Sequence, residues 1–282
     1  MAKSKNQFVA EISNEIAEFL LESADYHEQN AFIESDPISI PHRFSIKQDI
    51  EIIGFLIATI AWGNRVSIIR SGEILCQLMD NAPYDFVINS EQSDRLKLQR
   101  FVHRTFNGED LIYFIEFLHV HFLNFDSLED AFVQKTGTHW NSNAKMENRS
   151  TSSPHKLEIA EHALIDFRNY IFSLPHNHRT EKHVSSVLKN SACKRLNMYL
   201  RWMVRKNSPV DFGIWNRLSP KDLYVPLDVH VMRVANQLGL VDGSTTNWQV
   251  CKDLTAVCRK LIPNDPVKID FALFGIGIEQ KS

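Results

Sequence analysis

Apolar residues recur at helical spacing along most of the chain. Phe8, Ile12, Ile16 and Phe19 follow the three-and-four spacing of an amphipathic helix, and 50–60 is apolar on nearly all sides, as in a buried helix. Strand-type alternation is almost absent, so the predicted fold class is all-α. Further helices are predicted at 65–79, 111–123, 157–172, 194–206 and 248–261, with one opening at Asp228 and a last one at Pro266.

The stretch 139–154 interrupts this pattern. It reads HWNSNAKMENRSTSSP and is rich in serine and asparagine. Because it offers few apolar residues to a core, we expect an exposed loop or a locally disordered insertion. The 282 residues are otherwise expected to form a single all-α unit.

Composition is that of an ordinary globular protein, with 44% hydrophobic and 23% charged residues. No window reaches the roughly 18 uninterrupted apolar residues of a membrane span, and no apolar signal segment follows 1–6. We therefore expect a cytoplasmic protein without a membrane partner. The four cysteines are too scattered for a disulfide framework, and Cys251 and Cys258 lack companions for a four-ligand site. Reduced thiols and no bound metal are expected.

Positive charge is concentrated in one segment. The net charge is −3, yet 176–206 contains eight basic residues and one acid, a segment charge of 8 − 1 = +7. This concentration is typical of contact with a phosphate backbone, although a solvated helix face has the same composition. The eight residues are Arg179, Lys182, Lys189, Lys194, Arg195, Arg201, Arg205 and Lys206.

Two residues at helix starts, Lys194 and Asp228, carry candidate chemistry. An amine is nucleophilic only when unprotonated, and a helix N-terminus and a cationic neighbour such as Arg195 both favour the neutral amine. Asp228 follows Pro226 and precedes an apolar run, where an N-cap carboxylate belongs. A cap aspartate can also face a cleft and stabilise positive charge on a sugar. The alternatives are a surface lysine and a simple helix cap.

The segments LKNSACK (188–194) and PLDVHVMRVA (226–235) resemble the helix-hairpin-helix DNA glycosylase superfamily. In that superfamily a hairpin precedes the catalytic lysine, and a later helix start carries the catalytic aspartate; Lys194 and Asp228 match these positions. Their spacing is more similar to the archaeal 8-oxoguanine glycosylase branch than to most of the superfamily. The hairpin match is weaker, because its two glycines fall on Asn190 and Ala192. Through SACKRLNMYLRWMVR and PLDVHV the chain also resembles a bacterial family of unknown function.

The superfamily resemblance implies two interlocked helical subdomains with a cleft between them, formed by 1–45 plus 175–282 and by 46–174. It implies a nucleoid-associated monomer that excises an oxidised purine from double-stranded DNA through a Schiff base on Lys194. Such a Schiff base also permits AP-lyase activity, although the sequence does not decide whether strand cleavage accompanies excision, and no cofactor or metal is required. The implied contacts to the DNA backbone are Asn190, Ser191, Arg195, Arg201 and Arg205. The implied base pocket is formed by Trp62, Asn64, Asp270 and Phe274.

Several of these residues have simpler explanations. Arg201 and Arg205 are four residues apart and would share a solvated helix face. Asn64 follows a glycine at a helix break, where a helix C-cap is the commoner role. Asp270 would be a helix cap or an ion-pair partner, and Phe274 would be a core residue.

Two other functions fit the same sequence. The missing hairpin glycines favour a helix-hairpin-helix protein that binds DNA without catalysis. A helical enzyme acting on a free nucleoside or nucleotide would instead use the local positive charge for a single phosphate.

Overall fold

The computed structural model describes residues 12–133 and 158–280, and the predicted all-α fold class is confirmed within them. The expected loop at 139–154 lies outside these residues. The α-helices are α1 (Asn14–His27), α2 (Asn30–Ser35), α3 (Lys47–Ile60), α4 (Arg65–Leu78), α5 (Pro83–Asn89), α6 (Gln92–Lys97), α7 (Gly108–Phe122), α8 (Glu129–Phe132), α9 (Ile159–Ile171), α10 (Lys194–Val204), α11 (Val229–Gln237), α12 (Trp248–Leu261) and α13 (Ile269–Glu279). Short 3-10 helices lie at Pro37–Ser39, Pro41–Arg43, Leu98–Arg100, His178–His183, Val187–Lys189, Pro220–Asp222 and Pro266–Lys268.

A small antiparallel hairpin precedes α7. Its strands are β1 (Val102–His103) and β2 (Phe106–Asn107), and Val102 pairs with Asn107. Strands of two residues are too short to produce a recognisable alternation, so the sequence pattern did not predict them.

The chain divides into two compact units. The terminal unit is Met1–Phe32 with Ser186–Ser282, and the central unit is Ile33–Ser185. The sequence-based division placed its boundaries at 45/46 and 174/175 instead. The segments 33–45 and 175–185 therefore belong to the central unit.

The core of the central unit is organised around α3, which is buried from 49 to 60. Phe55 of α3 meets Phe114 of α7 and Phe167 of α9 edge-to-face, with ring centroids 5.6 and 5.5 Å apart. Aromatic pairs of this geometry add to the burial of apolar surface. The nearly all-apolar pattern of 50–60 is explained by this central position.

In the terminal unit, α13 packs against both α1 and α11. A Cβ added at Gly275 would lie 2.2 Å from the ring of His27, so only glycine permits this close approach to α1. Arg233 of α11 donates a hydrogen bond to the Gly277 carbonyl at 2.9 Å. These contacts fix α11, and with it Asp228, which precedes its first residue.

Candidate functional site

A backbone hairpin at 186–193 leads into α10. The 3-10 helix Val187–Lys189 ends at Asn190, which adopts the left-handed conformation with φ 58° and ψ 28°. The Ser191 amide donates back to the Ser186 carbonyl at 3.1 Å. Asparagine tolerates left-handed backbone better than most residues other than glycine. The first expected glycine position therefore has a glycine-like backbone although the residue is asparagine.

The second left-handed residue of the hairpin is Cys193, one residue later than the resemblance implied. It has φ 47° and ψ 36° and immediately precedes α10, while Ala192 has no positive φ. The buried Asn197 donates its side-chain amide to the Ala192 carbonyl at 3.0 Å. The Asn190 carbonyl accepts from the Trp248 amide at 3.2 Å. The hairpin is thus held by α10 and by the first residue of α12, anchors that sequence reasoning missed.

Lys194 and Asp228 are brought together at the starts of two helices. The Nζ atom of Lys194 lies 3.9 Å from Oδ2 of Asp228, and their side chains are 26% and 23% exposed. The Oδ1 atom of Asp228 accepts hydrogen bonds from the His230 and Val231 amides at 2.9 and 3.0 Å. The Asp228 carboxylate therefore caps α11 through one oxygen and faces the lysine through the other.

A third ionisable group, Asp270 of α13, is electrostatically coupled to this pair. Asp270 is 6% exposed and its carboxylate is paired with the Arg201 guanidinium. Burial raises the pKa of Asp270 to about 6; the negative charge of Asp228 adds to the effect, and the positive charges of Arg201 and Lys194 oppose it. Lys194, Asp228 and Asp270 therefore share one electrostatic environment.

Arg201 and Arg205, expected to contact the DNA backbone, are core residues with exposed fractions of 4% and 3%. Asp211 binds the Arg201 Nε at 3.2 Å and the Arg205 Nη1 at 3.1 Å. Arg205 also binds Asp265 at 2.7 Å and Glu28 at 2.9 Å. Buried ion pairs occupy these donors, which excludes both the predicted phosphate contacts and a solvated helix face.

The pKa values in this buried network reflect the balance between burial and charge. Burial raises the pKa of Asp211 and Asp265 despite the nearby arginines. Burial also raises the pKa of Glu28. The hydrogen bonds and positive charge of Arg205 outweigh this effect and hold the pKa of Glu28 below its ordinary value. The negative charge of these buried carboxylates is therefore neutralised largely by Arg205.

Three of the five expected backbone contacts remain accessible. Asn190 is exposed, and Ser191 and Arg195 are partly exposed. Burial lowers the pKa of Arg195 to about 10, which leaves its guanidinium charged at neutral pH. Lys189, which sequence reasoning counted only as part of the basic segment, is exposed beside Asn190 and adds a cation to the hairpin.

The expected base-pocket residues Trp62 and Asn64 belong to the central unit. Asn64 caps the start of α4 by accepting from the Val66 amide at 2.9 Å, so it is an N-cap and not the expected C-cap. The Trp62 ring stacks on His183 with centroids 5.9 Å apart and meets the ring of His103 edge-to-face at 5.3 Å. Capping and packing account for both side chains, and we do not assign them to a base pocket.

Asp270 and Phe274 were the other expected base-pocket residues. Asp270 is an ion-pair partner of Arg201, as described above. Phe274 is partly buried and meets Phe32 edge-to-face at 6.1 Å. The structure thus matches the simpler explanation of this pair, as an ion-pair partner and a packing residue.

None of the four cysteines forms a disulfide, and all four are buried. Burial raises the pKa of Cys76 to about 11 and also raises the pKa values of Cys251 and Cys258. These three thiols are therefore protonated and poorly nucleophilic at neutral pH. Within 12–133 and 158–280, no helix has the length and apolarity needed to cross a bilayer.

Comparisons with known proteins give one match. No curated protein and no solved structure matches the chain. A family model described as protein of unknown function (DUF2400) matches residues 36–279, well over half of the sequence. The chain therefore belongs to the family described as protein of unknown function (DUF2400).

Proposed function

We propose that this protein is a DNA glycosylase that excises an oxidised purine, of the 8-oxoguanine kind, from double-stranded DNA. The observation that carries the proposal is the approach of Lys194 Nζ to within 3.9 Å of Asp228 Oδ2. The lysine follows a hairpin containing two left-handed residues, and the aspartate caps another helix of the same compact unit. This combination supplies a nucleophile together with a carboxylate that has a fixed orientation.

The reaction would begin when the damaged nucleotide leaves the duplex, at a cost of a few kcal/mol of unstacking. The neutral Lys194 amine attacks C1′ of the sugar as the bond from C1′ to the base breaks, and the base leaves with the bonding electrons. Asp228 either accepts the proton of the lysine ammonium before attack and returns it to the departing base, or, where the amine is already neutral, remains ionised and stabilises positive charge on the sugar. Ring opening then gives a Schiff base between C1′ and Nζ, from which β-elimination cleaves the strand.

The hairpin provides groups that suit a phosphate backbone. Lys189 and Asn190 are exposed, and Ser191 and Arg195 are partly exposed next to them along the chain. The first turn of α10 adds backbone N–H groups and the positive end of the helix dipole. We assign the backbone contacts to these four residues. A monomer bound to DNA in this way would be associated with the nucleoid.

One observation favours a DNA-binding protein without catalysis. Neither left-handed position of the hairpin is glycine, and the exposed Asn190 presents a side chain where the superfamily hairpin has a glycine. Added side-chain bulk limits how closely a backbone approaches a phosphate. Weaker or displaced DNA binding would leave Lys194 beside Asp228 without bringing a nucleotide to it.

Borohydride trapping tests the proposal directly. The purified protein is incubated with duplex oligonucleotides that contain 8-oxoguanine, uracil or an abasic site, and the Schiff base is reduced to a stable crosslink. The variants are Lys194→Gln and Asp228→Asn, and the matched control is Lys221→Gln, which removes an exposed lysine of the same unit. We expect a crosslink with the parent and with Lys221→Gln that is absent from Lys194→Gln.

The other outcomes separate the remaining functions. Duplex binding with no crosslink on any substrate would overturn catalysis in favour of the DNA-binding function. Binding of a mononucleotide, with no steep dependence of duplex affinity on salt, would instead indicate an enzyme of free nucleotides.

A further inference from the structure

Three potential metal ligands of the central unit, His176, His178 and Glu181, lie close together in the segment that follows α9 in the sequence. The Oε1 atom of Glu181 lies 3.1 Å from Nδ1 of His178 and 3.5 Å from Nε2 of His176. One ligand atom from each of the three residues lies within 4.8 Å of the other two. Sequence reasoning considered only cysteines for a metal site and counted Glu181 only as the single acid of the basic segment 176–206.

The distances fit a tetrahedral ion. Zinc is bound by imidazole nitrogen and carboxylate oxygen at about 2.0–2.2 Å, which places neighbouring tetrahedral ligands about 3.3 Å apart. The two separations that involve Glu181, 3.1 and 3.5 Å, lie on either side of this value. The third distance joins the ligand nitrogens of His176 and His178 and is within 4.8 Å. The His178 side chain is 95% exposed, so it can rotate to shorten this distance without displacing other atoms.

Hydrogen bonds around the cluster orient the ligand atoms. The Nδ1 atom of His176 lies 2.8 Å from the Leu174 carbonyl. A carbonyl only accepts, so Nδ1 carries the proton and Nε2 presents its lone pair toward Glu181. Arg168 binds the other oxygen of Glu181, Oε2, at 2.7 Å. A histidine bonded to a backbone carbonyl and a carboxylate held by a second donor are the usual supports of metal ligands.

We propose that His176 Nε2, His178 Nδ1 and Glu181 Oε1 bind a zinc ion, with a fourth position open to water. Two imidazoles and one carboxylate form a ligand set that suits zinc, whereas magnesium and calcium prefer oxygen ligands throughout. Without the ion, His178 Nδ1 donates a hydrogen bond to Glu181 Oε1, and His176 Nε2 can donate to the same oxygen only when both ring nitrogens carry protons. Metal binding therefore displaces protons from the cluster and weakens at acidic pH.

The ion would complete the fixation of the 3-10 helix His178–His183. Its other side is already bound to Asp110 of α7, through Arg179 at 2.9 Å, Thr180 at 2.8 Å and His183 at 3.1 Å. On the zinc side, Glu181 is also linked to Arg168 of α9. The structural role inferred for the ion is to hold residues 176–183 against α7 and α9 of the central unit.

Zinc binding by the full-length, tag-free protein tests this proposal. The protein is stripped with a chelator, and zinc is then titrated in competition with a chromophoric chelator; cobalt absorption in the visible range reports tetrahedral coordination. The variants are His178→Ala, which changes an exposed side chain, and His176→Ala. The matched control is His162→Ala, an exposed histidine on α9 of the same unit.

We expect the parent and His162→Ala to bind one equivalent of zinc, and both cluster variants to bind it at least about tenfold more weakly. Circular dichroism verifies that each variant is folded. Failure of the parent to bind zinc, or equal affinities of His178→Ala and His162→Ala, would overturn the proposal. These readouts use no DNA, so their outcome is independent of the proposed glycosylase activity.

Discussion

The carboxylate of Asp228 divides its two oxygens between a helix and a lysine. Oδ1 accepts from the His230 and Val231 amides at the start of α11, while Oδ2 lies 3.9 Å from Nζ of Lys194. Stabilisation of the helix and interaction with the lysine therefore depend on different atoms of one side chain. Substitutions that keep one function and remove the other separate them.

Asp228→Asn retains the capping oxygen and removes the negative charge. Since asparagine and aspartate are equally good N-caps, the free energy of unfolding should change by only a few tenths of a kcal/mol, whereas Asp228→Ala should lose about 1 kcal/mol. Both variants should lose borohydride trapping. Urea unfolding and trapping on the same preparations provide the comparison. Equal destabilisation by Asn and Ala would argue against the cap, and parental trapping in Asp228→Asn would argue against a role for the charge.

The left-handed backbone at Asn190 gives a second prediction. Because φ is 58° at this residue, Asn190→Gly should leave the stability unchanged or slightly raised. Asn190→Val places a β-branched residue in a disfavoured conformation and should cost about 1–2 kcal/mol. Urea unfolding measures both variants. A valine variant as stable as the parent would show that the hairpin does not require this conformation.

The helices and the cap could be predicted because their signals are local. The segment 248–261 was predicted as a helix and α12 has these bounds. Asp228 caps α11 as its position before an apolar run indicated. Both predictions depend on residues within a few positions of each other, which is the range over which hydrophobic spacing and capping act.

The burial of Arg205 could not be predicted, because its partners are remote in sequence. Glu28 precedes it by 177 residues and Asp265 follows it by 60. A basic residue in a basic segment gives no indication that acids from elsewhere in the chain enclose it. The same limit applies to the left-handed Cys193, whose conformation depends on how the hairpin joins α10, and not on a preference of cysteine.

Arg205 should be essential for stability. Arg205→Met leaves the buried carboxylate of Glu28 and that of Asp265 without their main counter-charge, and it leaves Asp211 with Arg201 alone. Removal of one partner from a buried ion pair costs roughly 3–5 kcal/mol. Thermal or urea unfolding should therefore show a large loss, or a chain that fails to fold. A loss below about 1 kcal/mol, as for an exposed pair, would contradict the buried network.

Lys189, unlike Arg205, should contribute little to stability and should contribute to DNA binding. It is exposed on the hairpin, so Lys189→Gln should leave the free energy of unfolding within about 0.5 kcal/mol of the parent. If Lys189 contacts one phosphate, the slope of log K against log salt concentration for duplex binding should decrease by about 0.9. Fluorescence anisotropy at several salt concentrations measures the slope. The control is Lys221→Gln, and an equal change in both variants would contradict a specific contact at the hairpin.

The raised pKa of Asp270 predicts an unusual dependence of stability on pH. Its pKa is about 6 in the folded chain against an ordinary value of 3.8, so between these values the folded chain retains a proton that the unfolded chain has lost. The contribution of Asp270 to stability is therefore full below about pH 4 and is lost as the pH rises through about 6.

Asp270→Asn removes this titration while Arg201 keeps Asp211 as a partner. The stability of the variant relative to the parent should rise between about pH 4 and 7 by up to about 3 kcal/mol, from 1.36 kcal/mol for each of the 6 − 3.8 units. Urea unfolding at several pH values measures the difference, and Asp242→Asn, at an exposed position of the same unit, provides the matched control. A difference that stays constant over this range would show that the Asp270 carboxyl ionises in the folded chain as it does in the unfolded one. Asp270 and Arg201 would then form an ion pair over this whole pH range. The charges of Lys194 and Asp228 would then have no effect on the pKa of Asp270.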